Sequence, residues 1–310
     1  MTTEVCVVIP TRNEEKSLEI LLKSLNRQTY KNFGVLVIDG GSTDGTARIA
    51  KKYGARVIKE YGKYRSAANA RNIGVKKSGS DIIAVLDADN EVNEDFIRKA
   101  LEKFGNGVAA VRCSSLLKKD SFLRKVVSSS FEHKKSVFTP TPVFWKRKYL
   151  LETGGWDSSL GFGEDRIFER NIEKFVRGKK LRIEYAPDSK VYSYLPGSLR
   201  EIMNQQRWYG RTILHFLREN RNIREYKSLI KLGYPLAVVG LIAILIRFYC
   251  WEAIFAVSLV PMLAMLYRML KALAKSAYGI FLPFVDIFSG FFFLVGFIEQ
   301  VFRKGARGRD

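Results

Sequence analysis

Asp81-Ile-Ile-Ala-Val-Leu-Asp-Ala-Asp89 sets five apolar residues in an unbroken row and then stops on acids at 87 and 89. A short apolar run without alternation reads as a strand buried on both faces, the usual state of a strand in a parallel sheet. Two earlier stretches have the same form: Val5-Cys-Val-Val-Ile9 is closed by Pro10, and Val35-Leu-Val-Ile38 ends at Asp39. Between them, Leu18, Leu21, Leu22 and Leu25 fall at helical spacing within Glu15–Asn26. Gly40-Gly-Ser-Thr-Asp-Gly45 is turn chemistry before a helix running to about Tyr53, a short strand follows at Arg56–Lys59, and Ser66–Lys77 reads as a helix. Strands alternating with helices predict right-handed βαβ units in an α/β fold with a mostly parallel sheet and helices on both faces. Such sheets bind ligands beyond the carboxyl ends of their strands, where Pro10, Asp39 and Asp87 all fall.

Beyond residue 106 the pattern loosens. Val108–Val111 predicts a fourth strand, and Val137–Trp145, with two prolines, an edge strand or partly loop. Glu164–Val176 reads as a helix, and Leu199–Leu217 as a long amphipathic one carrying Arg207, Trp208, Tyr209 and Arg211. The last third changes character. Leu232–Ile246 and Ala253–Tyr267 are almost wholly apolar, and with their Tyr and Trp flanks each extends toward the ~20 residues of a bilayer span. They predict a transmembrane helical hairpin, with spans near 232–249 and 252–270 and its turn near Tyr249–Glu252. A third apolar stretch, 277–302, holds Pro283, Asp286 and Glu299. Basic residues crowd the segment before the first span, the segment after the second and the C-terminus, and the positive-inside rule puts all three on the cytoplasmic side. That topology makes the third stretch interfacial or re-entrant. The expected organisation is a cytoplasmic domain over 1–220 and membrane-anchoring helices over 221–310, a multi-pass protein of the cell membrane. The competing reading is a set of core helices in a larger soluble protein.

Lys and Arg total 52 against 31 Asp and Glu, a formal charge of +21 in 310 residues. This surplus calls for an anionic partner: a nucleic acid, a phosphorylated ligand or a membrane surface. Much of it flanks the apolar runs, where lipid headgroups account for it. There is no zinc spacing and no RNA-binding aromatic signature, so nucleic acid is set aside as a partner. Cys6, Cys113 and Cys250 fit no CxxC spacing and read as small hydrophobes, and His133 and His215 as structural. Met1–Glu4 has no basic n-region, so no signal peptide is expected and the N-terminal portion stays on the side where it is made.

Asp87-Ala88-Asp89 carries the chemistry. Two short carboxylates on a turn after a strand can share a hard divalent cation, Mg²⁺ or Mn²⁺, with the phosphate oxygens of a nucleoside-diphosphate sugar, and the ion neutralises the leaving diphosphate. The alternative is a capping turn before a helix over Val92–Phe104.

Ile9-Pro-Thr-Arg-Asn-Glu14, Val37-Ile-Asp-Gly-Gly-Ser-Thr-Asp-Gly-Thr46, Ala70-Arg-Asn-Ile-Gly74, Leu86-Asp-Ala-Asp89, Gly154-Gly-Trp-Asp157, Gly163-Glu-Asp165 and Gln205-Gln-Arg-Trp208 follow in this order. Their order and spacing over roughly residues 4–210 resemble family 2 glycosyltransferases, which have the GT-A fold, a Rossmann-like α/β architecture. The resemblance implies that Pro10, Thr11 and Glu14 line the base and ribose pocket and that Asp39 accepts hydrogen bonds from base or ribose. It places Arg71 near the diphosphate or as a brace for the acidic turn, with Lys63 and Arg65 as looser phosphate ligands. Asp44 reads better as a helix cap. The resemblance makes Asp165 the base that takes the proton of an attacking hydroxyl, in a displacement that inverts the anomeric centre. Glu164 and Asp165 also suit a helix N-terminus electrostatically. Gly155 would let backbone approach the acceptor sugar, while Trp156 is either an acceptor face or a core aromatic. Gln205–Trp208 departs from the Q-x-x-R-W element of processive members, because Asn204 stands three before Arg207. Arg207 and Trp208 then either touch diphosphate and acceptor or lie at headgroup level on the membrane.

The expected acceptor is a hydroxyl of a lipid-linked or cell-surface glycan. A polyprenyl phosphate is the close rival, already ionised and needing no base. A non-catalytic nucleotide-binding scaffold and a nucleotidyltransferase are weaker readings; the latter normally has a Gly-rich loop with a Lys after the first strand, which Thr11–Glu14 is not.

Overall fold

The computed structural model describes residues 4–129, 143–160, 163–219, 263, 265–274 and 276–306. It falls into two compact units, one of residues 1–118 with 133–194 and one of 119–132 with 195–310.

The first unit is a mixed eight-stranded sheet. Its first half is the predicted one: β1 (Val5–Thr11), α1 (Glu15–Asn26), β2 (Phe33–Asp39), α2 (Thr46–Lys52), β3 (Arg56–Lys59), α3 (Ala67–Lys77) and β4 (Ile82–Val85). β1 pairs in parallel with β2 on one side and β4 on the other, and β3 lies parallel outside β2. The second half comprises β5 (Asn90–Val92), α4 (Phe96–Leu101), β6 (Val108–Lys118), β7 (Val143–Lys146), α6 (Arg147–Glu152), α7 (Glu164–Gly178) and β8 (Arg182–Tyr194); α5 (Phe122–Ser129) belongs to the second unit. β7 runs antiparallel between β4 and β6, β8 parallel to β6, and β5 antiparallel at the edge beyond β8. β7 thus corrects the edge strand expected over Val137–Trp145. Among the described residues the strand is Val143–Lys146, paired on both sides, with Phe144 and Trp145 buried; the rest of the expected stretch, with both prolines, lies outside the described residues.

β1 shows why the sheet needs helices on both faces. Val5, Val7 and Ile9 point into one layer with Leu18, Leu21 and Leu22 of α1 and Phe96 of α4. Cys6 and Val8 point into the other, with Ile73 of α3, Trp156 and Phe168 of α7. α3 lies so close to β1 that a Cβ on Gly74 would sit 2.2 Å from a methyl of Val8. Cys6 and Cys113 are buried free thiols, as read.

The second unit contains α5, α8 (Leu199–Glu219), a helical stretch over 265–273, a 3₁₀ turn (Ala277–Phe281) and α9 (Leu282–Ala306). Phe122 of α5 meets Tyr278 and Phe281 edge-on at 5.7 and 5.0 Å. α8 and α9 touch backbone to side at Gly296, where a Cβ would overlap the carbonyl of Arg207. The acids of the apolar C-terminal stretch are paired: Asp286 with Arg268 at 2.8 Å, and Glu299 with Arg207 and Arg211. Ala277–Gly296, with a mean hydropathy of 1.9 and 17% of it buried, is long and apolar enough to cross a membrane. The hairpin expected near 232–249 and 252–270, and the domain limit near 220, lie almost wholly outside the described residues.

Candidate active site

β1, β2 and β4 deliver their carboxyl ends to one edge of the sheet. The loops after β1 and β2 are laced together there. Asn13, in the left-handed region at φ 57°, donates its backbone N–H to the Ser42 hydroxyl and accepts from Thr43 N–H through Oδ1 at 2.8 Å. Asp39 is buried at the end of β2, and its Oδ1 accepts from the N–H and hydroxyl of Ser42 at 2.9 and 2.6 Å. Pro10 and Thr11 close β1, and the buried Thr11 hydroxyl has no hydrogen-bond partner among the described residues. The Glu14 N–H is taken by Thr46 Oγ1. Asp44, read as a helix cap, accepts from Thr46 N–H at 3.0 Å and holds the turn before α2, whose N-cap is the neighbouring Gly45.

The Asp87-Ala88-Asp89 turn follows β4. Asn90 shapes it: its Oδ1 accepts from Asp87 N–H at 3.0 Å, and its Nδ2 donates to Asp89 Oδ1 at 3.2 Å. Ala88 is buried beneath the turn. Desolvation by the surrounding protein, followed by repulsion from Asp87 and Glu14, pushes the Asp89 carboxyl up to about 7.

Arg71, on α3 and only 3% exposed, joins this turn to the start of α7. Its guanidinium donates to Asp87 Oδ1 at 2.9 Å, Glu164 Oε1 at 3.2 Å and Asp165 Oδ1 at 3.1 Å. Burial disfavours its charge, but Asp165, Asp87 and Glu164 outweigh that and raise its pKa. Of the two positions expected for Arg71, this is the brace. Glu164 and Asp165 open α7 behind Gly163, whose φ of 75° suits a residue without Cβ. Burial raises the Asp165 pKa to about 7; Arg71 opposes the rise, and Glu164 and Asp87 add to it.

Trp156 is 3% exposed, stacked on Phe168 at 4.1 Å and 18°, with the Arg71 guanidinium 5.9 Å from its ring centroid. Its ring is packed in the core, one of the two positions expected for it. Gly155, at φ 74°, presses against Asn72, whose Oδ1 would lie 2.2 Å from a Cβ there. Arg65 is exposed and hydrogen-bonds the Glu60 carbonyl, and Lys63 is also exposed and lies over Tyr64. Arg207 and Trp208 belong to the second unit, where Arg207 is bound by Glu299 and Trp208 is 46% exposed beside Tyr209. Asn72 and Asn90 carry no site signal of their own in the sequence. Asn72 stands within the Ala70–Gly74 motif and Asn90 directly follows the acidic turn, so only their positions hinted at them.

The residues fit the divalent cation that the fold family implies. One guanidinium faces three carboxylates, while Asp89 and Glu14 crowd the same turn, leaving an excess of negative charge. Among the described residues no three His, Cys, Asp or Glu side chains are arranged to hold an ion alone. Asp87 and Asp89 therefore suit an ion completed by phosphate oxygens and water, the habit of Mg²⁺.

Residues 6–172 match the model of glycosyl transferase family 2. The 4,4'-diaponeurosporenoate glycosyltransferase of Staphylococcus haemolyticus is 30% identical over 186 residues, 58% of this chain and 48% of that protein. The poly-beta-1,6-N-acetyl-D-glucosamine synthase of Staphylococcus aureus is 26% identical over 216 residues, 63% of this chain and 51% of that protein. The chain thus spans about half the length of these curated relatives. Among solved structures, the mannosyltransferase PcManGT from Pyrobaculum calidifontis in complex with GDP-Man and Mn²⁺ superposes with a TM-score of 0.56 at 21% identity, covering 95% of this chain and 88% of that one. S. aureus TarS 1–349 in complex with UDP-GlcNAc gives 0.52 at 18%, covering 70% and 67%. With more than half the chain inside the family model and the fold shared with these transferases, the chain belongs to glycosyl transferase family 2.

Proposed function

We propose that the chain is an inverting, metal-dependent glycosyltransferase. It moves a sugar from a nucleoside-diphosphate donor to a hydroxyl of a lipid-linked or cell-surface glycan at the cytoplasmic membrane face. The observation that carries this reading is the single guanidinium of Arg71 holding Asp87 on one side and Glu164 with Asp165 on the other. A donor turn and a proton acceptor are thereby kept within one side chain's reach. The unpartnered Thr11 hydroxyl and the buried Asp39 supply polar groups for base or ribose. Relatives named as transferases, and neighbours solved with UDP-GlcNAc or with GDP-Man and Mn²⁺, support the donor class.

Asp87 and Asp89 would hold the cation, which supplies positive charge against the leaving diphosphate. The acceptor oxygen attacks the anomeric carbon as the bond to the β-phosphate oxygen breaks, and the diphosphate departs with the electron pair. The hydroxyl proton passes to the Asp165 carboxylate, whose raised pKa suits a base working near neutrality. With no enzyme nucleophile, one displacement inverts the centre. The apolar, basic-flanked tail serves as the membrane anchor.

A thermal-shift screen of UDP, GDP and their sugars with Mg²⁺ or Mn²⁺ tests the donor half, since a specific ligand raises the melting temperature by mass action. We expect a metal-dependent rise for one base that Asp89→Asn removes. No response from a folded chain would sink the reading. Asp165→Asn should abolish transfer while leaving the rise intact. If transfer instead survives Asp165→Asn and is lost in Asp89→Asn, the acceptor is an ionised polyprenyl phosphate.

A further inference from the structure

Arg71 and Asn72 are consecutive on α3, and both reach toward Asp165 by different routes. The Asn72 amide reads the backbone of one residue at both ends: Oδ1 accepts from Trp156 N–H at 3.0 Å, and Nδ2 donates to the Trp156 carbonyl at 2.7 Å. Nδ2 also donates to Ser158 Oγ at 3.1 Å. A second tie runs from Ser66, the N-cap of α3, whose hydroxyl donates to the Ser158 carbonyl at 3.0 Å. The loop lies so close to the amide that Gly155 has no room for a Cβ. The clamp fixes Trp156, and the Trp156 ring stacks on Phe168. Phe168 is three residues after Asp165, about one turn along α7, so the two side chains share a helix face.

We infer that Asn72 is a positioning residue for Asp165. It holds Trp156 by the backbone, Trp156 holds Phe168 by ring stacking, and that contact sets the register of the α7 end bearing the carboxylate. Arg71 orients the carboxylate itself. Neighbouring residues of one helix thus place the proton acceptor through its helix and through its head. Asparagine suits the task because one short planar group carries both donor and acceptor; aspartate keeps the acceptor but loses the two donated bonds, and glutamine is a methylene too long.

The inference rests on Asp165 as proton acceptor, and the test separates the two. Full-length wild type, Asn72→Ala, Asn72→Asp and Phe168→Leu are compared with UDP-GlcNAc and GDP-mannose in Mn²⁺, following nucleoside diphosphate release with water as acceptor. Affinity for UDP or GDP with Mn²⁺ is measured in parallel. Misplacing a reacting group by about an ångström costs on the order of a hundredfold, so kcat should fall about tenfold to a hundredfold while nucleotide affinity stays within about twofold. Ser158→Ala, which removes one of three bonds, should give a smaller fall of the same kind. If Asn72→Ala does not fold, Phe168→Leu and Ser158→Ala decide. Unchanged kcat in the folded variants, or nucleotide affinity falling in step with kcat, overturns the inference. A wild type that neither binds a nucleotide nor turns over a sugar nucleotide removes the transferase reading and this role with it.

Discussion

At the scale of single residues the site is a problem of charge crowding. Arg71 is buried and faces three carboxylates, while Asp89 has repulsive neighbours in Asp87 and Glu14. Desolvation and those charges raise the Asp89 carboxyl from an ordinary 3.8 to about 7. Between those values the unfolded chain has released the proton and the folded chain has kept it, so stability falls as pH rises through the window and is level above it. Asp89→Asn keeps the shape of the side chain and removes the ionisation. In metal-free buffer the variant should therefore melt with wild type near pH 4, gain on it progressively, and hold a constant advantage above pH 7. Mn²⁺ with the cognate nucleotide should reverse the order at pH 8. An advantage that does not change with pH would show that Asp89 ionises freely in the folded chain. The acids themselves were legible in the sequence because each ends a strand or opens a helix. The sharing of Arg71 was not, because a residue in the middle of α3 and two residues 93 and 94 positions later are joined only by the way the helices pack. The grip of Asn72 was hidden for the same reason, and so was the choice between the two readings of Trp156. A side chain that grips backbone leaves no spacing pattern, and an aromatic beside a glycine pair looks alike in a core and at a sugar site.

At the scale of elements, the seam between α3 and β1 fixes how near Arg71 and Asn72 come to the strand ends. Gly74 makes that approach possible, since a Cβ there would lie 2.2 Å from a methyl of fully buried Val8. Gly74→Ala should cost about 1–3 kcal/mol, the usual range for an overpacked core. Val8→Ala in the same chain should recover part of it, because the methyl in the way is then gone. Chemical unfolding of the single and double variants checks this; strictly additive losses would mean that the two groups do not collide. This seam belongs to the half of the sheet legible in the sequence, where strands alternate with helices and the central strands β1 and β4 are buried on both faces. The later half was not legible. β8 spans 13 residues yet was not recognised, because its polar Glu184, Asp188 and Lys190 break the apolar pattern that marks a buried strand. β7 shares Val143–Trp145 with the expected stretch, whose earlier part lies outside the described residues, and its antiparallel pairing between β4 and β6 follows from long-range contacts that no local signal carries.

At the scale of the whole molecule, two forces can bring a chain of net charge +21 to a membrane, and they respond differently to salt. Basic residues near an anionic surface contribute about 1 kcal/mol each, and that attraction is screened within a Debye length, ~3 Å at about 1 M salt. Apolar burial is not weakened by salt. The second unit has the means for apolar burial. Phe284, Ile287 and Phe291 of α9 are 59–73% exposed, Ala277–Gly296 has the length and hydropathy of a span, and Asp286 and Glu299 are paired with arginines rather than left bare. A charged pair costs far less than a lone carboxylate on entering a low-dielectric region. The proposed anchor therefore predicts that membranes carrying the full chain keep it through a wash at about 1 M NaCl and release it to a mild detergent. Wild-type protein freed by salt alone would mean that the basic surplus holds it to the lipid and that α9 covers itself by packing against protein instead. Replacing both Phe284 and Phe291 with Ser distinguishes the two forces further. An apolar anchor becomes salt-extractable when they are lost, whereas purely electrostatic binding keeps the same salt midpoint.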